Sequence, residues 1–150
     1  MNVAILTTSN QWFERYAIEL SKSINCKLFF KHEELTSFDI IFILSYHKII
    51  PQKILISNKH NIVIHESALP KGKGWAPIFW QILDDKNNIP FTMFEASDGV
   101  DSGDIYMQKI LKLTGLELNA ELREKQAYFT IKMCLEFLKN YEKYKIQHLK

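Results

Sequence analysis

Cysteine is scarce in this chain of 150 residues, which carries only Cys26 and Cys134. Two isolated cysteines compose neither a zinc pattern nor a disulfide framework, and both are expected as small core residues. No run of about 18 apolar residues occurs, so no membrane-spanning helix is expected. The opening MNVAILTTSN is too short and too uncharged for a signal peptide. A soluble, cytoplasmic protein is the resulting expectation. Net charge is scarce as well: 19 basic and 17 acidic residues leave +2. That is too little for electrostatics alone to hold a nucleic acid. The lysines are spread along the chain, apart from a mildly basic tail from Lys139 to Lys150 that reads as a solvated end. Internal repeats, linkers and low-complexity tracts are absent, and no metal site is expected.

What is present builds a core. Hydrophobic residues make up 47% and charged residues 24%, close to globular averages, which excludes disorder. The length suits one domain over 1–150, long enough to bury a core without staples. Residues 2–7 form an apolar, β-branched run expected as a buried strand. Trp12, Phe13, Tyr16, Ala17 and Leu20 recur at helical spacing over 10–23, with Ser9 or Asn10 as the cap. CKLFF at 26–30 reads as a second strand. DIIFILS at 39–45 is the near-continuous run of a strand covered on both faces of a parallel sheet. Pro51 opens a short helix to about Ser57, as a proline at the first helical position does, and NIVIH at 61–65 is a fourth strand. The alternation argues for an α/β sheet of parallel βαβ units. A long loop over 66–77, holding two glycines and two prolines, precedes a short helix at 77–84. FTMFEAS (91–97) and IYMQKILKL (105–113) are two further strands. Thr114 with Glu117 has the capping-box pattern and opens a long helix over about 117–141. Leu118, Leu122, Phe129, Met133, Phe137 and Leu138 are expected to face inward there.

Reactive groups concentrate in two places. His65 stands at the carboxyl end of an expected parallel strand, followed by Glu66, Ser67 and the loop ALPKGKGWAP. Asp101 lies within DGVDSGD. Ligands of open α/β sheets sit outside the carboxyl ends of the strands, and a histidine there can act as acid or base near neutral pH. A nearby aspartate would raise its pKa and fix its tautomer. The residues alone leave other readings open. The histidine can be a structural strand end, DGVDSGD a solvated turn that lacks an EF-hand's closing glutamate, and KGKG a phosphate nest without P-loop spacing.

The stretch from His65 to Pro77, HESALPKGKGWAP, resembles the H-x-S-x-L-P-x-x-R-G-x-x-P signature of the 10-formyltetrahydrofolate-dependent formyltransferases. Asp98-Gly-Val-Asp-Ser-Gly-Asp-Ile resembles that family's D-x-G-x-D-x-G-D segment, and Ser45-Tyr-His-Lys-Ile-Ile-Pro its Y-G-x-x-x-P loop. The three segments come in family order over about residues 39–113, and the wording is most similar to the sugar N-formyltransferases. The resemblance implies a Rossmann-like, mostly parallel sheet with flanking helices and a long C-terminal helix. It implies 10-formyltetrahydrofolate as co-substrate, an amino sugar (nucleotide-linked) as acceptor, and no nucleic-acid or membrane partner; a homodimer is compatible with it. It implies His65 as oxyanion stabiliser and acid and Asp101 as base. The pterin would lie against Lys48, Ile50, Ser97 and Asp98, and His47 and Trp75 would be substrate-binding candidates, with plain core packing the other reading of Trp75.

The pattern also has departures. The family's catalytic asparagine falls on Val63, which cannot donate a hydrogen bond, and the loop arginine is Lys73. Asn61 shares the face of His65 by the period of two but lies too far back to stand in. The stretch before DIIFILS is shorter than the family's, and Leu6-Thr-Thr-Ser-Asn-Gln stands where the ribonucleotide transformylases have a glycine-rich loop. A backbone N–H after His65, or His47, is then expected as the second oxyanion donor. The alternatives are a non-catalytic folate or sugar-nucleotide binding module, a methionyl-tRNA formyltransferase-like enzyme, or a His–Asp hydrolase that deformylates the folate.

Overall fold

The computed structural model describes residues 1–66, 87–96 and 103–147. Six strands form one sheet: β1 Val3–Leu6, β2 Lys27–Phe29, β3 Ile40–Ile43, β4 His60–His65, β5 Asn88–Glu95 and β6 Ile105–Lys112, in the order β2-β1-β3-β4-β5-β6. The first four are mutually parallel. β5 runs antiparallel to both β4 and β6, so β6 again follows the direction of the first four. The sheet is therefore mostly parallel, as the alternation implied, with one reversed strand that a pure βαβ reading does not contain. The expected helix at 77–84 and the loop from residue 67 onward lie outside the described residues.

All four residues of β3 are buried, which is why its sequence is apolar without alternation. Its odd and even positions feed two cores. Ile40 and Phe42 pack with Ile5, Ile62, Phe91, Met93 and Phe137 beneath α1 (Glu14–Ile24) and the long α3 (Asn119–Lys139). Ile41 and Ile43 pack with Ala4, Leu6, Leu35 and Ile54 beneath the short α2 (Gln52–Ile56). A last helix, α4, spans Tyr141–Gln147.

Three helix starts differ from the sequence reading. α1 begins at Glu14 because Asn10 is held left-handed at φ 58°, and Phe13 takes the cap position without a side-chain bond. Neither Ser9 nor Asn10 caps it; instead the Glu14 carboxylate accepts from the Asn10 N–H at 2.6 Å. Pro51 is the cap of α2 rather than its first residue. Glu117 does accept from the Thr114 and Gly115 N–H groups, at 2.8 and 3.0 Å, but this closes a turn before the helix. Gly115 makes that turn at φ +87°, and α3 starts at Asn119 with Glu121 accepting from the Leu118 N–H. Leu118 consequently points to solvent, 72% exposed, against the inward position expected for it. Leu122, Met133 and Phe137 are buried as expected, and Phe129 and Leu138 pack at the margin of the same core.

Cys134 is fully buried and Cys26 packs half-buried beside the same core, both as free thiols. Burial pushes the Cys26 thiol up to about 11 and that of Cys134 higher still, so neither is a nucleophile near neutral pH. No helix among the described residues is long and apolar enough to cross a membrane.

Phe137 joins the layers, with its ring against Phe42, Tyr106, Tyr141 and Tyr144. Phe137→Ala should cost about 3–5 kcal/mol, whereas Leu118→Ala, at the exposed position just before the helix, should stay within about 0.5 kcal/mol. Urea denaturation of the two variants measures the contrast; equal losses would place the core wrongly.

Candidate active site

Parallel pairing brings the ends of β1, β3 and β4 to one edge. Leu44 N–H donates to the Leu6 carbonyl at 2.9 Å as the strands end. Beyond that point two loops rise, and each carries a residue in the left-handed region: Asn10 after β1 and Ser45 after β3, both non-glycine. Such conformations cost roughly 1–3 kcal/mol each and persist only where the surroundings fix them. The fixings are visible. His47 N–H donates to Thr8 Oγ1 at 3.1 Å, tying the loops together. Tyr46 is tied to the turn at His32–Glu34, with its hydroxyl 2.7 Å from His32 Nδ1 and accepting from the His32 N–H.

His65 is the last residue of β4 and is buried. Val63, two residues back, packs against the core beneath α2, so the period of two puts His65 on that face. Thr92 stands opposite His65 in the β4–β5 register and Gln108 opposite Thr92 on β6. Gln108 Nε2 donates to Thr92 Oγ1 at 3.0 Å. A polar row thus crosses three strands at the level of the histidine. Beside it, the ladder slips at Met93/Phe94, a bulge of the sort found next to active sites.

Asn61 is buried and donates its amide to the Leu55 carbonyl at 2.8 Å. That amide is used to end α2, so Asn61 does not replace the donor missing at Val63. His47 and Lys48 are exposed on the loop after β3, while Ile50 is half-buried against the core beneath α2. Trp75, Ser97, Asp98 and Asp101 lie outside the described residues.

Sequence reasoning passed over two features of this edge. Threonine and glutamine interrupt the apolar strands FTMFE and IYMQKIL, and that interruption was the available signal for the row at Thr92 and Gln108. The second is Glu66, which follows His65 and so turns to the opposite face. Its Oε1 accepts from Gln126 Nε2 of α3 at 2.5 Å. Gln126 Oε1 in turn accepts from the Arg123 guanidinium at 3.4 Å, and that guanidinium lies 4.3 Å over the Trp12 ring. Burial raises the Glu66 pKa, against the lowering effect of the Gln126 hydrogen bond and of the positive charge of His65 and Arg123. Glu66, Gln126, Trp12, Phe13, Leu44, Ser45, Ile64 and Thr130 line a narrow polar cleft. Nothing in spacing or composition pairs residues 66 and 126. Thr7, just past β1, holds a buried hydroxyl that alone among the described residues' buried side-chain polar atoms has no hydrogen-bond partner.

The family model for formyl transferases matches residues 7–136. The chain belongs to the formyl transferase family. Curated methionyl-tRNA formyltransferases match it at 30–33% identity, and the chain spans less than half of their length. Methionyl-tRNA formyltransferase from Clostridium thermocellum superposes with a TM-score of 0.76 at 23% identity, covering 94% of this chain and 66% of that one. HypX from Aquifex aeolicus, in complex with tetrahydrofolic acid, gives 0.74 at 20% identity over 95% of this chain and 27% of its own. A Mycobacterium tuberculosis protein read as a sugar N-formyltransferase gives 0.71 at 15% identity over 93% and 66%. The Rossmann-like fold is therefore the formyltransferase fold, and the formyl donor of the family is 10-formyltetrahydrofolate. The acceptors named among these proteins differ, so family membership does not fix an acceptor.

Because burial raises the Glu66 pKa above its unfolded value, ionisation costs the folded state. The cost is absent below the unfolded value, about 4.3, and grows as pH rises through the folded one. Glu66→Gln keeps an oxygen for Gln126 and removes the ionisation. Its melting temperature should exceed that of the wild type at neutral pH, and the gap should close on acidification. Thermal melts from pH 4 to 8 check this; a gap independent of pH would remove burial of the charge as its cause.

Proposed function

We propose that the chain transfers the formyl group of 10-formyltetrahydrofolate to the primary amine of an amino sugar. The observation that carries this is the position of His65: buried, at the end of a parallel strand, within a family segment and level with the polar row at Thr92. The neutral amine attacks the formyl carbon, so a C–N bond forms and the carbonyl becomes an oxyanion. Protonated His65 donates to that oxygen. The bond from the formyl carbon to N10 then breaks. The amine proton passes to the Asp101 carboxylate, directly or through water, and is returned to N10, which leaves protonated.

The loop after β3 suits a flat heterocycle. Ile49 is 83% exposed and Ile50 half-buried, which offers an apolar surface beside backbone groups of Lys48–Ile50. Ser97 and Asp98 supply the opposing polar side in this reading. The near-zero charge balance supports a small acceptor over a polyanion, with His47 and Trp75 as its candidate contacts. The methionyl-tRNA reading draws on the 30–33% identical relatives, so one assay should offer 10-formyltetrahydrofolate with both amino-sugar nucleotides and methionyl-tRNA, following tetrahydrofolate by absorbance and products by mass. Formylated sugar is the expected product; formylation of methionyl-tRNA alone would replace the acceptor, and folate binding without turnover would make the chain a binding module.

Two variants test the machinery. His65→Ala should lose at least 10²-fold in kcat while tetrahydrofolate still binds, since general acid–base groups contribute about 10²–10⁴-fold; retention of more than about a tenth of the rate would end the role. Val63→Asn restores the family's side-chain donor. A well-placed oxyanion donor is worth about 10²–10³-fold, and a gain of at least about tenfold in kcat is expected. No gain, together with loss of activity in His47→Ala, would show that the donor has moved to His47.

A further inference from the structure

Three loops leave the same edge of the sheet, after the adjacent strands β2, β1 and β3. The turn at His32–Glu34, which follows β2, is a fixed point. The Leu35 N–H closes it on the His32 carbonyl at 3.0 Å, and the Leu35 side chain is buried beneath α2. The Asn58 amide, just past the end of α2, donates to the Leu35 and Ile54 carbonyls, both at 2.9 Å. Its oxygen accepts from the Phe38 N–H at 2.8 Å. The loop after β3 has the opposite character. It reaches α2 through Lys48, Ile49 and Ile50, and among the described residues no hydrogen bond holds the N–H of any of the three. Their position is set by Pro51, the cap of α2, on one side and by Tyr46 and His47 on the other.

We infer that His32 and Tyr46 are a positioning pair for the formyl donor: His32, anchored to α2 through Leu35 and Asn58, holds the Tyr46 hydroxyl and thereby fixes the Lys48–Ile50 backbone against which the pterin lies. The inference rests on the reading of that loop as the folate surface. The Tyr46 hydroxyl uses both of its functions. Its oxygen accepts from the His32 N–H at 3.3 Å, and its proton goes to Nδ1, 2.7 Å away. Nε2 then carries the ring proton and faces Glu33 Oε2 at 3.6 Å. Burial raises the Tyr46 pKa, against the His32 N–H and with the Glu33 carboxylate, so the hydroxyl keeps its proton. The two rings meet edge to face, with centroids 5.9 Å apart. Glu33 interacts electrostatically with both His32 and Lys48, which sets the anchored turn beside the first unheld residue of the loop. Ser45, just before Tyr46, is left-handed at φ 53°, a conformation that persists only where the surroundings fix it. Neither His32 nor Tyr46 has a step in the proposed reaction, so loss of their bond acts on binding of the donor.

The test uses the whole chain with tetrahydrofolate as probe, reading the Lys48, Ile49 and Ile50 amides by ¹H–¹⁵N NMR. In the wild type, tetrahydrofolate should shift the three amides. Tyr46→Phe keeps the ring and removes the bond. It should move the same amides in the free protein and raise the Kd of tetrahydrofolate about fivefold, the worth of one net hydrogen bond. His32→Ala should do the same, and the double variant should bind no more weakly than either single one, because both remove one interaction. His32→Asn puts an amide oxygen where Nδ1 stands and should keep the Kd within about twofold of wild type; with Tyr46→Phe it decides the matter if His32→Ala does not fold. A lower melting temperature in Tyr46→Phe with Kd and amides unchanged would make the pair structural only and overturn the inference. Effects of the two substitutions that add, or a His32→Asn variant as weak as Tyr46→Phe, would overturn it too while leaving the folate surface standing. Tetrahydrofolate that leaves the three wild-type amides unmoved would overturn the reading of the loop as the folate surface, and the inference with it.

Discussion

The parallel register of β1, β3 and β4 is the constraint on which the rest depends. Val3 pairs with Ile40 and Leu6 with Ile43, while Ile40 pairs with His60 and Ile43 with Val63. β4 therefore runs two residues past β3, and His65 stands clear of the neighbouring strand at the edge where the loops after β1 and β3 meet. A slip of one residue in β4 would send His65 to the α1 side and Glu66 to the α2 side. The register is fixed by apolar side chains on both faces: Ile62 belongs to the core under α1 and α3, and Val63 to the core under α2. Burial of two unequal cores thus sets which way the histidine points.

The opposite end of the sheet is held by polar contacts. Glu95 accepts from the Asn61 N–H at 2.6 Å and from the Tyr106 hydroxyl at 2.5 Å, with His60 Nδ1 3.4 Å away. Burial and the Glu95 carboxylate together push the Tyr106 phenol upward, so it stays a donor. Glu95 N–H closes on the Asp104 carbonyl at 2.8 Å. A Cβ at Gly103 would overlap the Glu95 carbonyl, which gives the glycine of the D-x-G-D segment a steric reason in this chain. The network clamps the base of the β5–β6 pair, where Glu95 meets Asp104. Tyr106 and Glu95 hold that base while the row at Thr92 and Gln108 lies at the histidine's level, so one pair of strands serves both ends.

Much of this was legible in the chain. Runs such as DIIFILS and NIVIH are covered on both sides, and local patterning suffices to read them. The family segments carried the donor chemistry and the place of His65. What escaped was decided by contacts distant in sequence. β5 runs antiparallel to β6 through seven residue pairs as well as to β4, and no local signal gives strand direction. The start of α3 was misread because Thr114 and Glu117 satisfy a capping pattern that Gly115 turns into a separate loop. The partnership of Glu66 with Gln126 spans sixty residues and has no signature in either segment.

The departure at Val63 and the carboxyl at Glu66 belong to one argument. Both flank His65 by at most two residues, and both alter what the strand end offers to a reacting molecule. An asparagine at 63 would place a donor on the α2 side, where the side chain now packs among Leu6, Ile43 and Ile54. Inserting an amide there costs packing, and that core is the smaller of the two. The α1 side has the reverse balance: it holds most of the buried aromatic mass and also the polar cleft. In the proposed reaction the folate approaches the apolar wall of the loop after β3, beside the strand end that carries His65. His65 at the strand's end and Glu66 just after it diverge to opposite faces, and that divergence is the alternation of the pleat itself.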